Sequence, residues 1–230
     1  MLQNKNIVVN GPIRSALLKW WGTQNLESAF EWRERLPLWQ GLLVEMMLQR
    51  TRAQQVQGVF KTLRARYPSA RAIGEAPSED LERLFKPLGL RWRRRLLIAY
   101  CRSVGRMEGR LPFDRKSLEQ LPGVGTYASS AALSLHGGVR APILDVNVVR
   151  IVCRLRGVAY DGETRRKRWV GELVNHLTPG AGWREFNYAM IDLGRLLCRP
   201  KNPRCPECPL RRHCATGRKL ICTTQKITDD

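Results

Sequence analysis

Hydrophobic residues recur at helical spacing along almost the whole chain. Val56, Val59, Phe60 and Leu63 fall at i, i+3, i+4 and i+7, with Pro68 just beyond their last turn. The same spacing joins Leu81, Leu84, Phe85 and Leu88, and then Leu97, Tyr100, Cys101 and Val104. It returns in Val148, Ile151, Val152 and Leu155, and in Val170, Leu173, Val174 and Leu177. No alternating run is long enough to predict a strand. Breakers separate the periodic stretches: Pro68, Pro77, Gly89, Pro112, the turn from Pro122 to Gly125, Gly137–Gly138, Pro142 and Pro179–Gly180. Helices of three or four turns joined by short loops predict an all-α protein. No segment is of low complexity and no fixed repeat occurs. Beyond Cys214 the pattern fades, so 215–230 reads as a tail that frays.

Charge sharpens this picture. Among 230 residues, 40 Lys and Arg stand against 20 Asp and Glu, a formal charge of +20. Such an excess opposes compaction and favours a polyanionic partner, although a merely basic chain would share it. No apolar run approaches the roughly 20 residues of a membrane span. Met1 to Asn10 lacks the apolar centre of a secretory signal. Seven cysteines without such a signal point to reduced thiols and a metal site, in an intracellular protein, not to a disulfide framework.

Four of those cysteines, Cys198, Cys205, Cys208 and Cys214, follow the pattern C-x6-C-x2-C-x5-C. Zinc sites usually present two C-x2-C pairs, and only one is present here; ferredoxin spacings do not match either. Thiolates alone suit zinc or iron. The intervening residues, Arg199 to Arg204, are basic and proline-rich. Cys101 and Cys153 fall on apolar helix faces and read as core thiols. Trp20, Trp21 and Trp32 read as core residues as well.

A second constellation is Leu121-Pro122-Gly123-Val124-Gly125-Thr126-Tyr127. A helix capped by Asp114 is expected to end at Leu121, and the next to begin near Thr126. Between them, glycine-permitted backbone angles and free amides would make a phosphate seat, or simply a tight connection. Asp145 precedes the apolar helix that reaches Leu155 and reads as its N-cap, worth about 1 kcal/mol. Capping would lower its pKa and keep it ionised.

The cysteine spacing and the Leu-Pro-Gly-Val-Gly wording resemble the endonuclease III and adenine glycosylase superfamily of helix-hairpin-helix DNA glycosylases. The resemblance spans 36–214. It implies a [4Fe–4S] cluster on the four cysteines, a hairpin at Leu121, Gly123, Val124 and Gly125 that seats DNA phosphate, and Asp145 as the catalytic carboxylate. That anion would support the cationic sugar left by a departing base. Leu43 to Thr51 resembles the early helix of adenine and mismatch glycosylases, which makes Glu45 a base-pocket and proton-handling residue. Endonuclease III-type enzymes carry a lysine nucleophile where Tyr127 stands, and a phenol cannot form a Schiff base. Hydrolysis with weak or no strand cleavage is therefore expected. Tyrosine here is similar to the glycosylases that remove thymine or uracil opposite guanine. Tyr188 takes another base-pocket position, though neither glutamine nor an aliphatic residue, the usual occupants, is present. The resemblance also implies that Gln49 and Leu90 fill the space of a flipped nucleotide, with Arg50 and Arg91 near the backbone.

These readings predict an all-α, two-lobed helix-hairpin-helix glycosylase fold with a [4Fe–4S] loop. One lobe would be a bundle of about six helices over 36–141; the other would join 1–35 to 142–214, with Asp145 where the lobes meet. The expected partner is double-stranded DNA with a mispaired base, bound by a monomer without membrane attachment. Three rivals stand beside the thymine or uracil reading: an adenine glycosylase acting without the second domain of its kind, a modified-base glycosylase, and a non-enzymatic iron–sulfur DNA-binding protein.

Overall fold

The computed structural model describes residues 10–26 and 28–219. Every regular element among them is helical, with no strand. The chain divides into two compact units: Glu27–Arg140, and Met1–Leu26 together with Ala141–Asp230.

The Glu27–Arg140 unit is organised around one apolar helix. After α1 (Asn10–Gly22), which belongs to the other unit, α2 spans Leu38–Leu48, and its residues from Leu38 to Met47 are all buried. A helix apolar on every side must be wrapped, and α3 (Ala53–Arg66), α6 (Arg91–Arg106) and α8 (Thr126–Leu135) pack against it. Small residues on α8, Ala128, Ala131 and Ala132, are fully buried. Gly41 lies against the His136 ring so closely that a Cβ would overlap it. Outside these run α4 (Ala70–Glu75) and α5 (Ser78–Phe85); α4 and α6 meet backbone to backbone at Gly74 and Gly105. The fully buried Tyr100 donates its hydroxyl to the Trp39 carbonyl at 2.9 Å, tying α6 to α2.

Two boundaries differ from those expected. The first crossing between units falls at 26/27 rather than 35/36. Trp32 explains this: it is 3% exposed, stacked on Phe30 at 4.7 Å and set edge-on to Phe60, so it belongs to the same core as α3. The helix after Asp114, α7, spans only Arg115–Leu118. Asp114 does cap it, accepting from the Ser117 amide at 2.9 Å. The chain then tightens into i−3 hydrogen bonds, Gln120 to Ser117 and Leu121 to Leu118, and leaves the helix three residues early. With α7 counted, the unit holds seven α-helices among the described residues, where about six were expected.

The other unit contains α1, α9 (Val146–Arg156), α10 (Arg168–Leu177) and α11 (Trp183–Leu196). α11 packs on α9 and α1. Trp21 is buried and donates Nε1 to the fully buried Asp192 at 2.9 Å; Trp20 is half-buried. Arg14 reaches the last carbonyls of α10, at Leu177 (2.7 Å) and His176 (2.6 Å), and satisfies groups a helix end leaves open. Gly157, with φ of 67°, ends α9. Residues 215–219 form a further helical turn, and the expected fraying of 220–230 lies outside the described residues, as does Cys222.

Candidate active site

Glu45 sits on the wrapped helix α2 and is 3% exposed. It is therefore not a solvated helix carboxylate. Tyr127, in the first turn of α8, donates its hydroxyl to Glu45 Oε2 at 3.0 Å. The packing of α8 on α2 produces this pair, although 82 residues separate its members in sequence. Tyr127 remains half-buried.

The glycine turn leads directly into α8. Gly123 has φ of 74°, and a Cβ there would stand 2.9 Å from Leu96 Cβ and 3.0 Å from Met46 Cε. Both backbone angle and space exclude a side chain. Gly123 and Gly125 are exposed, and Leu121 is half-buried. Val124 departs from its expected part: its side chain enters the core and its amide donates to the Leu121 carbonyl at 3.1 Å. The exposed backbone of the turn is thus at the two glycines.

Gln49 ends α2, and Arg50 follows it with φ of 55°. Leu90 precedes α6 with φ of 41° and is 43% exposed. Arg50 and Arg91 are exposed. Arg93, within the same basic run, is 4% exposed and hydrogen-bonds toward both turns. Burial lowers its pKa.

In the other unit, Asp145 is the N-cap of α9, as expected, with Oδ1 accepting from the Val148 amide at 2.7 Å. Its Oδ2 accepts from Asn147 Nδ2 at 2.6 Å. Asn147 Oδ1 in turn accepts from Arg150 Nη2 at 2.8 Å. Arg150, 3% exposed, also donates to the Gly194 carbonyl at 2.8 Å and through Nε to the Cys198 carbonyl at 2.7 Å. A continuous set of hydrogen bonds thus runs from the carboxylate to the first cysteine. The expected lowering of the Asp145 pKa is corrected. Burial dominates and raises it above the ordinary carboxylate value, outweighing the Val148 amide, the Asn147 amide and the Arg150 charge, which all act downward.

Tyr188 on α11 is buried, with the Arg184 guanidinium over its ring at 5.1 Å. Cys101 and Cys153 are fully buried core thiols; burial pushes Cys101 up to about 12 and raises Cys153 too.

The four clustered cysteines are half-buried. Burial pushes the Cys208 thiol up to about 12, and the neighbouring sulfurs of Cys198, Cys214 and Cys205 add to the rise. Cys205 is raised first by burial and then by Cys214 and Cys198; Cys214 is raised by burial and by Cys198, with the Gly217 amide acting downward. Arg154 Nη1 and the Gly217 amide each approach one of them, Cys198 and Cys214 respectively, at 3.3 Å. Such a soft donor set, backed by N–H groups and a guanidinium, suits a thiolate-bound metal group. Among the described residues, no three His, Cys, Asp or Glu side chains converge tightly enough to hold a single ion.

Arg93, Asn147, Arg150 and Arg154 were not expected from the sequence. Arg93 carried a signal, since it precedes Leu97 by one helical turn on the apolar face, yet it sits in a run of arginines. Arg150 lies within a helix whose residues from Val148 to Cys153 are all buried, where a charge implies a buried partner.

The sequence pattern of the HhH-GPD superfamily base excision DNA repair proteins matches residues 43–174. A thymine-DNA glycosylase of Aeropyrum pernix is 33% identical over 208 residues, covering 88% of this chain and 92% of that protein. A thymine/uracil-DNA glycosylase of Pyrobaculum aerophilum is 33% identical over 204 residues, covering 86% and 87%. A solved structure of a thermostable thymine-DNA glycosylase superposes with a TM-score of 0.81 at 30% identity, covering 90% of this chain and 95% of that one. The chain belongs to the HhH-GPD superfamily of base excision DNA repair proteins.

Unfolded, Asp145 titrates at the ordinary carboxylate value, and folded it titrates higher, so the native state keeps the proton longer. Its contribution to stability is greatest below the ordinary range and is lost as pH rises through the raised value. Urea unfolding of wild type and Asp145→Asn at stepped pH should therefore show the difference moving in the variant's favour as pH rises. A wild type that gains on the variant over that window would mean that the cap, not burial, dominates.

Proposed function

We propose that this chain is a monofunctional DNA glycosylase that hydrolyses the N-glycosidic bond of thymine or uracil mispaired with guanine. The observation that carries the reading is the hydrogen bond from Tyr127 to Glu45. It puts a phenol, incapable of Schiff-base attack, against a buried carboxylate, and so favours water over an amine as the nucleophile. The named activities of the two archaeal relatives support the choice of base.

In this reading the C1′–N1 bond breaks with its electron pair leaving on the base. Asp145, ionised, stabilises the positive sugar and then the incoming water at C1′. Glu45, oriented by Tyr127, handles the proton at the base or at the attacking water. Tyr188, its ring held by Arg184, contributes to base recognition. Gly123 and Gly125 present backbone amides to a phosphate at the start of α8, and Leu121 flanks them. Arg50 and Arg91 neutralise backbone charge, while Gln49 and Leu90 occupy the gap left by the extruded nucleotide. The protein works as an intracellular monomer; no helix among the described residues is long and apolar enough to cross a membrane.

Cys198, Cys205, Cys208 and Cys214 would hold a [4Fe–4S] cluster. When bound, it supplies a rigid cross-link that fixes the basic residues from Arg199 to Arg204 for phosphate contact. Metal and sulfide analysis of purified protein should find about four iron and about four sulfide per chain, the content of such a cluster. Zinc in place of iron would refute that assignment.

The function is tested on a panel of duplexes with T·G, U·G, A·G and modified bases, each assayed with and without alkali. Base release from T·G and U·G, with strand breaks appearing only after alkali, is expected. Asp145→Asn should keep duplex binding and lose about 10²–10³-fold in release, the size of losing one preorganised charge-stabilising group. Release from A·G alone, or from no duplex, would overturn the reading.

A further inference from the structure

We propose that Arg93 is the positioning residue that holds Gln49 and Leu90 together as a single two-pronged wedge. The inference rests on the proposed function, in which those two side chains enter the DNA stack. The geometry stands on its own.

The guanidinium joins two turns from distant parts of the chain. Its Nη1 donates to the Gln49 carbonyl, and its Nη2 donates to the Leu88 carbonyl and to Thr51 Oγ1 at 2.7 Å. The backbone continues the tie, because the Arg93 amide donates to the Leu90 carbonyl at 3.0 Å. Two of the side chain's acceptors are main-chain carbonyls, so the contacts fix the paths of the turns themselves.

Those paths need fixing. Arg50, directly after Gln49, has φ of 55°, and Leu90 has φ of 41°, after Gly89 at 72°. Left-handed angles at non-glycine residues persist only where surrounding contacts over-determine them. Arg93 supplies such contacts to both turns at once. Its neighbours Arg91, Trp92 and Arg95 are exposed, whereas Arg93 is 4% exposed. In a basic run suited to phosphate, Arg93 is withdrawn into the protein and spent on carbonyl oxygens, while the half-buried Arg94 lies beside Glu82. A planar fork can span three acceptors in fixed directions; the compact ammonium of lysine cannot.

The full-length chain with Arg93→Met, and separately with Arg93→Lys as the charge-keeping variant, is assayed on two DNAs. One carries a U·G mispair in continuous duplex; the other carries the same uracil in a bulge, already unstacked. Single-turnover release is read together with 2-aminopurine fluorescence beside the uracil, which reports unstacking on binding. Both variants should lose about tenfold or more on the paired duplex while staying within about twofold on the bulge, because the extrusion cost is absent there. The fluorescence rise on the paired duplex should fall in parallel. Adding Arg93→Lys to the double variant Gln49→Ala/Leu90→Ala should cost nothing further on the paired duplex. An equal loss on both DNAs, or a full additional loss in the combined variant, would overturn the positioning role and mark Arg93 as general support for the fold. A wild type inactive on both DNAs would instead overturn the proposed function, and the wedge with it.

Discussion

A half-buried carboxylate fixed at the start of a helix is the constraint on which the hydrogen-bonded set running to the first cysteine depends. Asp145 satisfies the first free amides of α9, and ordinary capping would leave its charge stabilised. Burial instead raises its pKa, so its ionised form is a cost that the fold carries. Asn147 and Arg150 reduce that cost without removing it, because both act downward on the same group. An anion poorly solvated in the resting protein is one that gains most when a positive centre arrives.

Buried arginines repeat this logic elsewhere. Arg150 and Arg93 each place a guanidinium on backbone carbonyls instead of on carboxylates, Arg150 at Gly194 and Cys198, Arg93 at Gln49 and Leu88. A carbonyl that loses such a donor in the interior loses a charge-assisted bond and is left without solvent to replace it. Each of these side chains therefore acts as a fastener between segments far apart in sequence. Arg150 links the capping loop to the cysteine loop, and Arg93 links two strained turns. Against a formal charge of +20, a few arginines turned inward leave most of the basic surface available to a polyanion.

Much of this was legible in the sequence. Periodicity placed α3, α5, α6, α9 and α10, because a helix that buries one face must repeat every three to four residues. Asp145 was legible as a cap for the same reason. α2 was harder: being apolar on all sides it carries no periodic signal, and it was recognised through its wording. The early end of α7 and the boundary at 26/27 were not legible. The boundary is set by the packing of Trp32 on Phe60, a contact distant in sequence, and the early end of α7 by the i−3 hydrogen bonds that lead into the glycine turn, which helical periodicity does not encode. The sign of the Asp145 shift was misjudged because a local rule for caps does not contain burial, which only the folded chain supplies. The arginine fasteners escaped notice because a charged residue in a charged run looks solvated until its neighbours are in place.

The central claim is that the Asp145 carboxylate stabilises positive charge at the sugar. It is tested most directly by binding, without turnover, to two duplexes with the same flanking sequence. One holds a cationic pyrrolidine in place of the target nucleoside, and the other holds an uncharged abasic analogue. Wild type is expected to prefer the cationic duplex, and Asp145→Asn to lose the preference while binding the neutral duplex as before. A preference that survives the substitution would place the stabilising charge elsewhere and contradict the account.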